Sequence, residues 1–326
     1  MIKVAGRFPK VAALTSVLVA GALSACAPLG TGPAPLTAPP TGPLQPPEVT
    51  EASASARALG RYYNNLQADL LVQGLLRTDG GGPDTPYNAR QLAETYETIA
   101  FFQEYEDGSW KRQNGRTAYQ LRRWADPVRV DVSFGNSVPL EQRNLDARNV
   151  DLFAQRLSRV TRHPVSMSAA RNANFHVIFT GYDDQPQLLQ QLRQIVPNLD
   201  RASLRLIETL PRSTHCLMLG FAADDNPQEL GQSIVIIRAE HPDILRKSCI
   251  HEEMAQGMGL INDSPRARPS IFNDNDEFAF LTRHDEQLLR MHYDRRLRIG
   301  MTLEEARPII RQLAAEQIGA QRAPNS

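Results

Sequence analysis

The chain has 326 residues, 41% hydrophobic and 22% charged, and its 36 basic side chains balance 36 acidic ones. That balance and a pI near 7.1 exclude the basic excess of a nucleic-acid-binding domain. A mean hydropathy of −0.38 excludes a multi-span membrane protein.

The basic side chains are almost all arginine, with lysine only at Lys3, Lys10, Lys111 and Lys247, and no arginine cluster stands out along the sequence. Lys3, Arg7 and Lys10 precede an apolar run from Val11 to Leu23 that is too short to span a bilayer comfortably. That is the layout of a secretory signal over residues 1–25. Its end, Leu23-Ser24-Ala25-Cys26, resembles a bacterial lipobox, which implies that Cys26 becomes the lipidated first residue of a mature chain. Ala27 after that cysteine resembles an outer-membrane sorting signal, so the sequence predicts a lipid-anchored, periplasm-facing protein of the cell envelope. Residues 26–50 are dominated by Pro, Gly, Thr and Ala and read as a tether that buries no core. The remaining cysteines, Cys216 and Cys249, are a disulfide candidate in an oxidising compartment, with two unpaired buried thiols as the alternative.

Residues 51–77 carry Leu59, Tyr62, Tyr63, Leu66, Leu70 and Leu75 at helical spacing and end at Thr78-Asp79-Gly80-Gly81-Gly82. A second helix is predicted over 89–105, and the two would form a helical hairpin region across residues 51–120. From Val128 to Phe134 the pattern alternates as a half-buried strand should. Helical period returns over 141–162, followed by a strand at 175–180 and a short helix at 186–195. Cys216–Phe221 and Ser233–Arg238 read as strands, 241–259 as a helix ended by Gly259, and Thr302-Leu303-Glu304-Glu305 as a capping box. The expected class is α+β, with one mixed-sheet domain over residues 121–320.

The chemistry-bearing stretch is His251-Glu252-Glu253-Met254-Ala255-Gln256-Gly257-Met258-Gly259-Leu260-Ile261-Asn262-Asp263. Zinc peptidases place two metal ligands one helical turn apart, with a glutamate beside the first as general base. On that template Glu252 and Gln256 take the two ligand positions and Glu253 the base position. Gly259 ends the helix, and Asn262 or Asp263 falls where a third ligand returns. His251 cannot recover the pair, because Ala255 stands four residues on. If Glu252 and Glu253 both face a cleft, their repulsion raises one carboxyl, as proton transfer needs; two solvated helix charges are the alternative. Asp274, Asp276 and Glu277 add nearby acid but lack the glycine and distal glutamate of an EF-hand, so they read as a polar turn. The other histidines, at 163, 176, 215, 241, 284 and 292, are scattered and read as structural.

Further landmarks carry a resemblance. Pro269-Ser270-Ile271-Phe272-Asn273 is similar to the turn beneath the metal in metzincins, with Phe272 in the methionine position. Leu281-Thr282 through Asp285, Leu288 and Tyr293 is similar to their C-terminal helix. This resemblance spans about 125–295 and implies a metzincin-like mixed sheet with an active-site-type helix. Leu121–Gly135, Ala173-Asn174-Phe175 and residues 248–298 also resemble an uncharacterised family of bacterial lipoproteins, a domain of unknown function that brings no activity. No ligand position is histidine, and carboxylate and amide oxygens suit Ca, Mg or Mn better than zinc. Three readings follow: a degenerate domain that binds or scaffolds an envelope protein or peptide; a metallopeptidase-like hydrolase using Glu253 as base, with Glu252, Gln256 and Asp263 around a divalent cation; and chance likeness in a structural helix.

Overall fold

A computed structural model describes residues 51–102, 118–199, 201–273 and 275–322. Cys26 and the tether lie outside them, as do Asp274 and the last three residues of the helix expected over 89–105.

Helix α1 (Ala54–Val72) starts where the Ser53 side chain accepts from the Ala56 amide. It stops five residues short of the expected end, because Gly74 turns with φ +76° and Leu76 with φ +56°. The chain then joins Arg77 to Phe278 in a short parallel bridge. Helix α2 (Ala89–Phe101) begins at a reciprocal capping box between Asn88 and Gln91. The expected hairpin does not form, since the two helices bury their apolar faces in different places. Tyr63 and Leu70 of α1 join Leu76, Leu245 and Ala279 in a small cluster. Leu92, Tyr96, Ile99 and Phe101 of α2 enter the main core, where α2 packs on the last helix.

The central elements follow as β1 (Val128–Phe134), α3 (Leu140–Thr161), β2 (Val165–Met167), β3 (Phe175–Thr180), α4 (Gln185–Ile195) and α5 (Arg201–Glu208). Then come β4 (Cys216–Ala222), β5 (Leu230–Arg238), α6 (Asp243–Gly257), α7 (Arg283–His292) and α8 (Leu303–Arg322). The five strands form one sheet in the order β2-β1-β3-β5-β4; every pairing is parallel except β4 with β5. Successive strand side chains point to opposite faces. Phe175, Val177 and Phe179 of β3 therefore join the core under α2, α3, α6, α7 and α8, while Ile178 packs with Leu188 and Leu192 of α4. With helices on both faces, β3 is buried along its whole length, which explains its nearly continuous apolar run. The α+β class holds, as a five-stranded, mostly parallel sheet. No described helix is long and apolar enough to cross a membrane.

Candidate functional site

Helix α6 leaves the sheet directly after β5 and carries Glu252, Glu253 and Gln256 in its last two turns. Two covalent or ionic ties fix it. Cys249 of α6 is disulfide-bonded to Cys216 at the start of edge strand β4, as the sequence predicts. Arg246, one turn earlier, donates through Nε to both oxygens of Asp146 on α3 at 2.8 and 2.7 Å. Burial raises the Asp146 carboxyl, and the Arg246 guanidinium offsets part of that rise.

Cys249 and Glu253 are one helical turn apart, so the disulfide carries Cys216 up to the glutamates. One potential ligand atom each from Cys216, Glu252 and Glu253 lies within 4.8 Å of the others. Among the described residues this is the one group of three or more His, Cys, Asp or Glu side chains that could hold a metal. Glu253 is 1% exposed and Glu252 half-buried.

The other expected ligand positions turn to each other or to the backbone. Gln256, fully buried, directs its side-chain nitrogen to Asp263 Oδ1 at 3.4 Å. Asn262 donates its side-chain amide to the Thr98 carbonyl, and its backbone N–H to the Ile99 carbonyl. Gly259 ends the helix as expected. It has φ +115°, and a Cβ there would run into the His292 imidazole and the Arg122 carbonyl.

The turn at Ser270-Ile271-Phe272 is built around one fully buried carboxylate, Asp285. Asp285 accepts from the Ser270 hydroxyl (2.5 Å), the Ile271 N–H (3.1 Å), and the Thr282 N–H and hydroxyl (2.9 and 2.8 Å). The same carboxylate caps α7 and pins the turn, which explains why these separated residues share one pattern.

No histidine joins the glutamates. His251 is buried against Phe153, with ring centroids 4.2 Å apart, and its Nδ1 accepts from the Leu281 N–H. His292 lies between the Tyr96 hydroxyl and the Arg122 carbonyl. Burial lowers each to about 3, so both rings are neutral.

Zinc does not fit this donor set. Imidazole is absent, and the sulfur of Cys216 is held in a disulfide, so it offers no thiolate. Carboxylates and amide oxygen remain. Gln256 Oε1 is buried with no hydrogen-bond partner among the described residues, and among cations such oxygens suit a hard ion rather than zinc.

A comparison with family models matches residues 89–312 to the family described as protein of unknown function, DUF2927. The chain belongs to this family. The match covers α2 through the first half of α8, and so includes the whole sheet, the helix with Glu252 and Glu253, and the Asp285-centred turn. The family description carries no activity. No curated protein and no solved structure matches the chain.

Two features escape sequence reading. The approach of Cys216 to Glu252 and Glu253 was signalled by the pairing with Cys249 and the one-turn step to Glu253. The expectation that no arginine cluster exists is corrected in three dimensions: Arg159, Arg162, Arg290, Arg295 and Arg296 line one cavity. They come from the ends of α3 and α7, segments some 130 residues apart along the chain.

Proposed function

We propose that the protein is a cell-envelope lipoprotein, anchored by lipid on Cys26 and facing the periplasm from the outer membrane. Its metzincin-like domain binds or scaffolds an envelope protein or peptide and does not work as a zinc peptidase. The mixed sheet with its lone antiparallel edge strand supports the metzincin likeness, as does the helix after β5 that ends at Gly259. The Ser270-Ile271-Phe272 turn held by Asp285 supports it further. The observation that carries the reading is the donor set: no imidazole stands at a ligand position, and the Cys216 sulfur beside Glu252 and Glu253 is held in the disulfide. Strand β4 is the sheet edge beside the glutamates, and an edge strand can pair with an extended segment through its backbone.

Elemental analysis of protein purified without chelator tests this beside Glu252→Ala and Gln256→Ala. The expected result is no stoichiometric zinc in any of the three. Stoichiometric zinc in the parent that is lost in both variants would overturn the reading.

One observation favours a second reading. Glu252 and the buried Glu253 place carboxylate oxygens within 4.8 Å of each other, the pairing a hydrolase with Glu253 as general base would use. Peptide-library cleavage separates the two. Turnover by the parent that Glu253→Gln abolishes establishes the hydrolase, and its absence leaves binding.

A further inference from the structure

A cavity of about 900 Å³ opens where the C-terminal ends of α3 and α7 meet. Five arginines line it, Arg159, Arg162, Arg290, Arg295 and Arg296, against one carboxylate, Asp294. In a chain of zero formal charge, that is a strong local departure. Two of the five guanidinium groups are neutralised. Arg290 pairs with Glu286 at 2.7 Å, and Arg296 pairs with Asp294 at 2.9 Å and Glu316 at 2.7 Å. The guanidinium groups of Arg159, Arg162 and Arg295 make no hydrogen bond or ion pair with any described residue, and all three side chains are exposed.

Helix electrostatics alone do not explain this arrangement. Cations near a helix C-terminus complement its dipole, which accounts for Arg159 and Arg290 in the last turns of α3 and α7. Arg295 lies past the end of α7 and receives no such benefit. Arg162 is the C-cap of α3 with φ +56°, a left-handed position where glycine is the unstrained choice. A strained backbone there places one more guanidinium on the cavity wall.

We propose that this cavity binds a multiply charged phosphoryl anion through Arg159, Arg162 and Arg295. The planar guanidinium fork matches phosphate oxygens two at a time. Three cations with no carboxylate partner among the described residues call for more negative charge than a single carboxylate carries. The volume admits a ligand larger than one phosphate, so the phosphoryl group belongs to an oligophosphate or to a phosphomonoester lipid headgroup. This site is separate from the glutamates of α6, and the proposal stands or falls independently of the function proposed for them.

Titration calorimetry of the detergent-solubilised full-length protein tests it, with tripolyphosphate in one arm and short-chain phosphatidic acid in the other, at physiological salt. The expected result is saturable one-to-one binding in at least one arm, weakened at least tenfold in R159Q/R162Q/R295Q and unchanged in R61Q, an exposed arginine on α1. Because Arg295 lies outside any helix, R295Q alone provides a variant without risk to a helix end, and a severalfold loss is expected. Binding of tripolyphosphate alone assigns a free oligophosphate; tighter binding of phosphatidic acid assigns a lipid headgroup. No saturable binding in either arm overturns the proposal, as does equal affinity in the triple variant, an equal loss in R61Q, or citrate binding as tightly as tripolyphosphate.

Discussion

Gln256 occupies a helix position where an imidazole would offer a lone pair outward; its amide turns instead to Asp263. That placement was legible in the sequence, because residues four apart share a helix face whatever they are. The partner was not, since the turn after Gly259 decides which of Asn262 and Asp263 comes back to the helix. Neighbouring histidines show the same limit. Sequence excludes His251 as a ligand through its spacing, but only packing shows it neutral, stacked on Phe153 and accepting from Leu281. Burial holds His251 and His292 at about 3 in the fold, against an ordinary value near 6.5 in the unfolded chain. The unfolded state therefore takes up protons that the folded state refuses as pH falls below about 6.5. Stability is full above that pH and declines toward pH 3, by about 2 kcal/mol per ring at pH 5, or roughly 4 kcal/mol for the two. Urea unfolding at about pH 7.5 and pH 5 should show at least that loss, since burial lowers His241 as well, and His251→Asn, which keeps an acceptor for the Leu281 N–H, should remove about 2 kcal/mol of the pH dependence. Equal stability at both pH values would show that these rings are not held neutral.

Among elements, those with a clean period were legible. Strands β1, β3, β4 and β5 and helices α3 and α4 match their expected limits within a few residues, because each shows an uninterrupted alternation or helical stripe. Strand β2 has three residues, two of them exposed, and the eight residues of α5 are too few to display a repeat, so neither announces itself. The hairpin expectation failed because an apolar stripe says that a helix buries a face without naming what covers it. Tertiary partners decide that, and the Asp146–Arg246 pair is the clearest case. It clamps α6 to α3 across 100 residues of sequence, with both side chains almost wholly buried. Arg246 also donates to the His241 carbonyl and to Asp243 at the start of α6. Removing one member strands a buried charge, so Arg246→Met should destabilise the protein by about 3–5 kcal/mol. The double variant Asp146→Leu/Arg246→Met should recover most of that, since a matched apolar pair leaves no orphan charge. Denaturant midpoints of the three proteins check this; a double variant as unstable as Arg246→Met would show that the guanidinium's bonds to His241 and Asp243 carry the effect.

For the whole molecule, the even charge count described an average and hid its distribution. Folding brings five arginines to one cavity with one carboxylate, Asp294, on its wall, a concentration of charge that composition cannot report. The consequence concerns how the protein is held at a membrane. Two contributions are proposed, an acyl anchor on Cys26 and the arginine-lined cavity, and they differ in kind. Each buried CH2 of an acyl chain contributes about 0.8 kcal/mol and is indifferent to salt. Attraction between arginines and phosphate headgroups is screened within a Debye length of about 8 Å at physiological ionic strength and weakens as salt rises. Several acyl chains outweigh a few screened charges, so the anchor should dominate. Membranes from cells expressing the parent should retain the protein through a high-salt wash and release it only in detergent. Cys26→Ser should move it to the soluble fraction, and any remainder should leave the membrane at high salt. R159Q/R162Q/R295Q should fractionate as the parent does, because the acyl chains alone suffice. Retention of Cys26→Ser through the high-salt wash would refute the lipid anchor and place the attachment in another part of the chain.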